Sequence, residues 1–146
     1  MKKIFIIMFI CWGYHISNAQ TEEEAVQKTI ETMFNGMRTG DSAMVHSVFF
    51  DRALMQTVVK NQGGGVDLRD GSLDNFLKTI GVPHDKVYDE RILSYDIKID
   101  GDMASAWTPY EFYLGDQFSH RGVNSFQLAK LEGKWKVIYI VDTRRR

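Results

Sequence analysis

Cysteine is almost missing from this sequence, because Cys11 is the only one among 146 residues. It lies in an apolar N-terminal run that we expect to be removed from the mature protein. A mature chain without cysteine has neither a disulfide framework nor thiol chemistry. The sequence therefore predicts an exported domain that is held together by packing alone.

An excess of charge of either sign is also missing. The full chain carries 18 basic and 19 acidic side chains, a formal charge of −1. Loss of Lys2 and Lys3 with the N-terminal run leaves 16 basic against 19 acidic residues, or −3. Because a nucleic-acid partner requires a basic surface, we expect none.

No apolar run in the sequence is long enough to span a bilayer, which takes roughly 20 residues. The longest begins at Ile4 and ends near Tyr14, after Lys2 and Lys3 and before the small residues of Ser17-Asn18-Ala19. Basic, apolar and small residues in this order are typical of a secretory signal peptide. We predict cleavage after residue 19, a mature domain at 20–146 in the periplasm or outside the cell, and no membrane attachment after cleavage.

Two other kinds of site are not indicated by the sequence. The glycines at 63–65 lack the Lys-Ser/Thr pair of a phosphate-binding loop, so Asn61 to Gly65 is predicted to be a hairpin loop. The mature histidines, His46, His84 and His120, are far apart in sequence and suggest no metal constellation. We therefore expect neither a metal nor a cofactor.

The first half of the mature chain has the periodicity of three helices. Thr21 is a candidate N-cap, Glu22 to Glu24 suit the first turn, and apolar residues recur at three- and four-residue spacing until Gly40. Asp41 or Ser42 is expected to cap a second, shorter helix that carries Met44, Val45, Val48 and Phe49. A third helix is predicted from Leu73 to Ile80, after the N-cap Ser72.

Extended segments account for the rest of the chain. Short strands are expected at 53–59 and 66–69, and four long ones at 88–99, 103–114, 118–131 and 134–144, with tight turns between the long strands. The turn at Glu132-Gly133 joins the last two into a hairpin. This order predicts an α+β domain whose helices cover one face of a mainly antiparallel sheet.

The last two strands contain three motifs: His120-x-Gly122-x-Asn124-x-Phe126-x-Leu128, Gly133-Lys134-Trp135-Lys136-Val137 and Asp142-Thr143-Arg144. Together with the order of elements, these residues resemble the nuclear transport factor two superfamily. They look like exported bacterial members of the lumazine-binding-like or SnoaL-like type. The resemblance implies three N-terminal helices on a strongly curved sheet, a cone-shaped α+β barrel with an internal pocket, and a homodimer through the outer sheet face. The superfamily includes enzymes and non-enzymes, so fold alone does not imply function.

The alternation of side chains along a strand indicates which residues could line such a pocket. His120 and Asn124 share the parity of the apolar Phe126 and Leu128, so they line the pocket if those residues face the helices. The alternative for His120 is a surface position near the end of its strand. Asn is a poor strand former and needs partners for its amide when it is buried.

The position of Asp142 depends on the register of the closing hairpin. A two-residue turn without a bulge places Val123 opposite Asp142, which then faces away from His120. A longer turn or a bulge reverses the parity and places Asn124 opposite Asp142. The resemblance slightly favours the second arrangement, whereas a surface ion pair of Asp142 with Arg144 or Arg121 is the competing interpretation.

Three aromatic residues, Trp107, Tyr110 and Tyr139, are further candidates for contacts with a flat apolar ligand. Core or dimer contacts are the alternative for aromatic residues in strands. The first hypothesis is therefore a non-catalytic protein that binds a small apolar or aromatic molecule. The second is a cyclase, dehydratase or hydrolase with a His120 and Asp142 acid–base pair. The third is a structural or interaction domain.

Overall fold

The computed structural model describes residues 21–146. The predicted signal peptide at residues 1–19 lies outside the described residues, so export stays a prediction. Within residues 21–146, no helix has both the length and the apolar character that crossing a membrane requires.

The first helix, α1, spans Glu22–Thr39 and begins where the sequence predicted. The Thr21 hydroxyl accepts a hydrogen bond from the Glu24 amide at 3.2 Å, and the Glu24 carboxylate accepts one from the Thr21 amide at 3.0 Å. This reciprocal capping box satisfies two amides that have no partner inside the helix. Gly40 ends the helix with φ of 70°, a left-handed conformation that glycine adopts without strain.

The second helix, α2, is shorter than predicted and spans only Ser42–His46. Asp41 caps it by accepting a hydrogen bond from the Met44 amide at 2.8 Å. The prediction that Val48 and Phe49 belong to this helix is wrong. The Val48 carbonyl accepts a hydrogen bond from the Val137 amide, so pairing with the last strand takes over from the helix at this point.

Phe49 instead begins the first strand, β1, which spans Phe49–Lys60 and forms a hairpin with β2, Val66–Gly71. The third helix, α3, spans Leu73–Gly81 and is capped by Ser72. Only α1 and α2 therefore precede the sheet, whereas α3 follows its first two strands. The expectation of three N-terminal helices is therefore corrected. In addition, one of the three helices, α2, is very short.

The remaining strands are β3 (Tyr88–Ile92), β4 (Asp96–Asp100), β5 (Met103–Leu114), β6 (Gln117–Leu131) and β7 (Lys134–Arg145). Together with β1 and β2 they form one seven-stranded sheet in the order β2-β1-β7-β6-β5-β3, and β4 also pairs with β5. All neighbours are antiparallel except β1 and β7. The sheet is open rather than a closed barrel, because its path ends at β2 on one side and at β3 on the other.

The predicted strand at 88–99 is divided into β3 and β4, and Pro109 on β5 explains the break. β3 pairs with Tyr110 and the residues after it, whereas β4 pairs with Trp107 and the residues before it. Between them, the Leu93 amide donates to the Pro109 carbonyl at 2.8 Å. Proline has no amide hydrogen and cannot donate the second hydrogen bond of the pair, so the regular ladder stops there.

The closing hairpin contains both a two-residue turn and a bulge. Leu131 pairs with Lys134 across the turn, but an irregularity between Gln127 and Leu128 shifts the register. Beyond it Asn124 lies opposite Asp142. The bulge therefore selects the second of the two registers that the sequence left open.

The core lies between the helices and the inner sheet face. Phe34 on α1 meets Phe126 on β6 edge to face, with ring centroids 6.3 Å apart. Gly36 on α1 brings α2 close, since a Cβ at this position would lie 2.7 Å from a methyl group of Val45. The buried apolar residues of the sheet include Ala104, Ala106, Leu128, Trp135, Val137 and Ile140.

Candidate functional site

A cavity of about 570 Å³ opens between the helices and the inner face of the sheet. Its size lies within the range of small-molecule sites, about 300–1,000 Å³. Much of its wall is apolar. The apolar lining comes from α1, α3 and the strands, and comprises Met33, Phe34, Met37, Met55, Phe76, Ile80, Phe112, Leu114 and Ile140.

One part of this cavity is polar, because four strands place polar side chains on the inner face. Glu90 is on β3, Tyr110 on β5, Asn124 on β6 and Asp142 on β7, and all four line the cavity. They converge because side chains alternate along each strand and the register sets Asn124 beside Asp142. We call these four residues the polar cluster.

Within the polar cluster, Asn124 connects β6 to β3. Its amide nitrogen donates a hydrogen bond of 2.7 Å to Glu90 Oε1. Asn124 is only 3% exposed, so this bond satisfies a donor that would otherwise be costly to bury. The bond also holds the Glu90 carboxyl against the sheet.

Asp142 accepts the hydrogen bonds of two other donors, Arg144 and Tyr110. Its Oδ2 accepts from Arg144 Nε at 2.8 Å and from the Tyr110 hydroxyl at 3.4 Å. The same hydroxyl lies 3.0 Å from the Thr143 carbonyl oxygen, a better hydrogen-bond distance. Gly122 makes room for this arrangement, since a Cβ there would lie 2.8 Å from the Tyr110 hydroxyl.

The environment raises the pKa of Glu90 from 4.5 to about 7. Burial is the main cause, because the carboxylate loses water, and the charge of Asp142 adds to it. The hydrogen bond from Asn124 and the charge of Arg144 act in the opposite direction. Glu90 therefore exchanges its proton near neutral pH, where an ordinary glutamate is fully ionised.

Burial also raises the pKa of Tyr110, with the charges of Glu90 and Asp142 contributing. Tyr110 is therefore a neutral hydroxyl at physiological pH.

His120 lies on the same cavity wall, beside two aromatic rings. Its ring centroid is 5.0 Å from that of Phe112 and 5.9 Å from that of Tyr110. Burial lowers the pKa of His120, and the positive charge of Arg144 lowers it further. The imidazole is therefore mainly neutral at pH 7.

Four of the six residues nominated from the sequence line the cavity: Tyr110, His120, Asn124 and Asp142. The other two, Trp107 and Tyr139, lie elsewhere. Trp107 is 54% exposed and has the opposite parity to the buried Tyr110, so it lies on the outer sheet face. Tyr139 lies at the bulge, where its hydroxyl donates to Gln56 Oε1 at 2.7 Å, and it does not line the cavity.

Glu90 and Arg144 were not nominated from the sequence, although both line the cavity. Glu90 has the parity of Tyr88 and Ile92, so a carboxylate on an apolar strand face was a usable signal. The position of Arg144 required the register of β7, which the sequence left open. Among residues 21–146, no group of three metal-ligating side chains is close enough to hold a metal ion.

Comparison with protein families finds a match over most of the chain. A family model described as "Putative lumazine-binding" matches residues 21–141. A search of curated protein sequences finds no significant match.

Solved structures of NTF2-like (nuclear transport factor two-like) proteins share the fold. An NTF2-like protein of unknown function from Shewanella baltica has 19% identity and a TM-score of 0.62, over 86% of this chain and 94% of that one. A putative dehydratase of the NTF2-like family from Streptomyces avermitilis has 12% identity and a TM-score of 0.63, over 84% and 95% of the two chains.

A third similar structure is a putative calcium/calmodulin-dependent protein kinase II association domain from Xanthomonas campestris. It has 20% identity and a TM-score of 0.65, over 88% of this chain and 91% of that one. Identities this low establish the shared fold and leave the activity open.

Proposed function

The chain belongs to the "Putative lumazine-binding" family of the NTF2-like superfamily, and from this premise we propose that it binds a small, flat, largely apolar molecule without converting it. The site is the cavity between α1, α3 and the inner sheet face. The observation that carries the proposal is the composition of its lining. An apolar wall leads to a polar cluster, and this combination buries a flat body while fixing its orientation.

The family description suggests a first ligand to test. Lumazine is a fused two-ring heterocycle with both apolar faces and polar edges. A molecule of this size fits within a cavity of about 570 Å³, and its edges would face the polar cluster. We use it as a probe and as a representative of flat heterocycles.

Thermal unfolding in the presence of lumazine tests the proposal. A ligand at 100 times its Kd stabilises the folded state by about 2.7 kcal/mol, which gives a saturable rise in Tm. The uncharged two-ring amide 2-naphthamide serves as a second probe. We expect at least one of the two to raise the Tm of the natural sequence with saturation.

Two neighbouring residues of α3 provide a matched pair of variants. Thr79 lines the cavity, whereas Lys78 is exposed and does not. Thr79→Trp should occlude the cavity and abolish the thermal shift, and Lys78→Trp should preserve it. Absence of a shift with both probes, or equal shifts in both variants, would contradict ligand binding in this cavity.

Acid–base catalysis in the same cavity is a second candidate function. The observation that favours it is that His120, Asp142 and Glu90 all face one cavity. Near pH 7 the Glu90 carboxyl holds a proton for part of the time, while His120 is mainly neutral, so a donor and an acceptor coexist. Cyclases and dehydratases both use removal of a proton next to a carbonyl group.

Proton exchange measures this chemistry without knowledge of the natural substrate. The probe is 2-acetylnaphthalene in D₂O, and the signal is loss of its methyl protons by NMR. Catalysis predicts exchange that is faster than in buffer and is lost in His120→Gln or Asp142→Asn. A rate equal to that of buffer supports binding without conversion.

The proposal includes export and a dimer. The apolar side chains exposed on the sheet and its edges, among them Leu54, Met103 and Trp107, support a partner at the outer face. Light scattering measures the dimer, and a monomer at all accessible concentrations would contradict it.

Export is tested by expression in a bacterial host. A mature protein that begins at Gln20 would support it.

A further inference from the structure

We propose that the polar cluster is a receptor for a positively charged group rich in N–H donors, such as an amidinium or a protonated amino-heterocycle. Glu90, Asn124 and Asp142 would hold this group through their oxygens, while the rest of the ligand contacts the apolar wall. The inference rests on the proposed ligand-binding function and specifies the chemical class of the ligand.

Three acceptor oxygens in the polar cluster have no donor among residues 21–146. They are Glu90 Oε2, Asn124 Oδ1 and Asp142 Oδ1, since the hydrogen bonds use only Glu90 Oε1, Asn124 Nδ2 and Asp142 Oδ2. In the described part of the chain, the only fully buried side-chain polar atom without a partner is Thr108 Oγ1. The three oxygens therefore retain access to the cavity that their residues line.

Asn124 is the most informative of these residues. It is 3% exposed, and its amide nitrogen is fixed on Glu90. That bond determines which way the amide is turned, so the carbonyl oxygen is left to accept from the cavity. A residue so deeply buried with an acceptor still accessible is expected to have a donor supplied by a ligand or by water.

The polar cluster itself has two donor groups, the Tyr110 hydroxyl and the Asn124 amide nitrogen, and both donate within the protein. Beside the cluster, Arg144 Nε donates to Asp142, while the two terminal amino groups of Arg144 have no acceptor among residues 21–146. A ligand that brings donors completes the unfilled oxygens of the cluster, whereas one that brings acceptors would bind Arg144 instead. An amidinium has four N–H bonds in one plane and can serve two carboxylates and a carbonyl at once.

The balance of charge favours a cation in the same way. The polar groups that line the cavity with Glu90 are Asn124 and His120 from β6, Tyr110 from β5, and Asp142 and Arg144 from β7, and Asp70 from β2 is a further carboxylate in the wall. Arg144 offsets Asp142, so an ionised Glu90 leaves an uncompensated negative charge, to which Asp70 adds. The side chains of α1 that line the cavity are Met33, Phe34 and Met37, which carry no charge.

Binding of a cation should therefore be linked to loss of the Glu90 proton. With a pKa of about 7, Glu90 is about one-tenth ionised at pH 6 and about nine-tenths ionised at pH 8. A ligand that requires the ionised form should bind about tenfold more tightly at pH 8 than at pH 6. His120 also loses positive charge as pH rises. If Glu90 is the source of the tenfold change in affinity, the change must therefore persist in His120→Asn.

Three matched probes test the preference by isothermal titration calorimetry. They are 2-naphthamidine, which is a cation, 2-naphthamide, which is neutral, and 2-naphthoate, which is an anion, all with the same two-ring body. At pH 8 we expect 2-naphthamidine to bind at least tenfold more tightly than 2-naphthamide. Glu90→Gln should remove both this preference and the pH step, whereas Glu23→Gln, the same change at an exposed helical position, should remove neither.

The outcomes separate this inference from the proposed function. Equal affinities for the cation and the amide would overturn the inference and leave ligand binding intact. Tightest binding of 2-naphthoate would also overturn it and would identify Arg144 as the residue that selects charge. No binding by any of the three probes or by lumazine would overturn both. Circular dichroism of each variant verifies that it is folded.

Discussion

Replacement of Glu90 by glutamine should stabilise the protein in a manner that depends on pH. Glutamine has nearly the same shape and keeps an oxygen that can accept the hydrogen bond from Asn124. It removes the carboxylate that burial and Asp142 disfavour. The substitution therefore isolates the cost of ionising Glu90 inside the folded protein.

The size of this effect follows from the pKa shift of Glu90, from 4.5 to about 7. One pKa unit corresponds to about 1.4 kcal/mol, so the full difference is about 3 kcal/mol. Because the folded pKa is raised, the native protein has its full stability below the unfolded pKa. It loses stability as pH rises from about 4.5 through about 7, and the loss is then constant.

Urea denaturation at pH 5 and pH 8.5 measures the difference. The difference in unfolding free energy between Glu90→Gln and the natural sequence should be about 2 kcal/mol larger at pH 8.5 than at pH 5. This is less than the full value because pH 5 lies above the unfolded pKa of 4.5, so part of the loss has already occurred there. With an m value of about 1–3 kcal/mol/M, the extra shift in midpoint is about 1 M. Other groups that titrate in this range cancel, because they are present in both proteins.

Glu23→Gln is the control, because it removes the same charge from an exposed position on α1. Its effect on stability should be nearly the same at both pH values. If Glu90→Gln also changed stability equally at pH 5 and pH 8.5, Glu90 would ionise as it does in water. The reasoning about its burial would then be refuted.

Three further predictions concern the packing of the fold, and urea denaturation at pH 7 tests each of them. Gly122→Ala should destabilise the protein by more than about 3 kcal/mol, because its Cβ would overlap the Thr143 carbonyl oxygen; an effect below about 1 kcal/mol would show that the strands can separate there. Trp135→Phe should cost about 1 kcal/mol or more through loss of the 2.8 Å hydrogen bond to Glu22, and Glu22→Gln, which keeps an acceptor, should cost less. Phe126→Ala should cost about 3–5 kcal/mol because its side chain is fully buried, and a value near 1 kcal/mol would indicate a core that collapses easily.

The loss of stability that Glu90 causes at neutral pH suggests that this residue has a functional role. A carboxyl group on an otherwise apolar strand face lowers stability at neutral pH, and a leucine or glutamine there would avoid this loss. Proteins tolerate such residues mainly where binding or catalysis needs them. A cationic ligand would reverse the loss, since it favours the ionised form that burial disfavours.

Local signals were sufficient to predict most elements of the fold. The start of α1 was predicted from Thr21 followed by three glutamates, and its end from Gly40, because capping depends on residues a few positions apart. The turn at Glu132-Gly133 was likewise predicted and confirmed. These features concern neighbours in sequence, so no knowledge of distant contacts was needed.

Predictions that depended on distant contacts were less successful. The helical pattern continued through Phe49, yet pairing with Val137 placed that residue in β1. Trp107 and Tyr110 were nominated together, although opposite parity allows only one of them to face the cavity. The inner face is the one that meets α1, where Phe34 contacts Phe126.

Local sequence patterns were enough to predict the α+β class, the caps and turns, the strand alternation and polar residues on apolar strand faces. Which of those polar residues meet depends on contacts between distant strands. A single bulge between Gln127 and Leu128 places Asp142 beside Asn124, and the register of β3 on β5 brings Glu90 to the same cavity. The physical reason is the two-residue period of a strand, because one extra residue turns every later side chain to the other face.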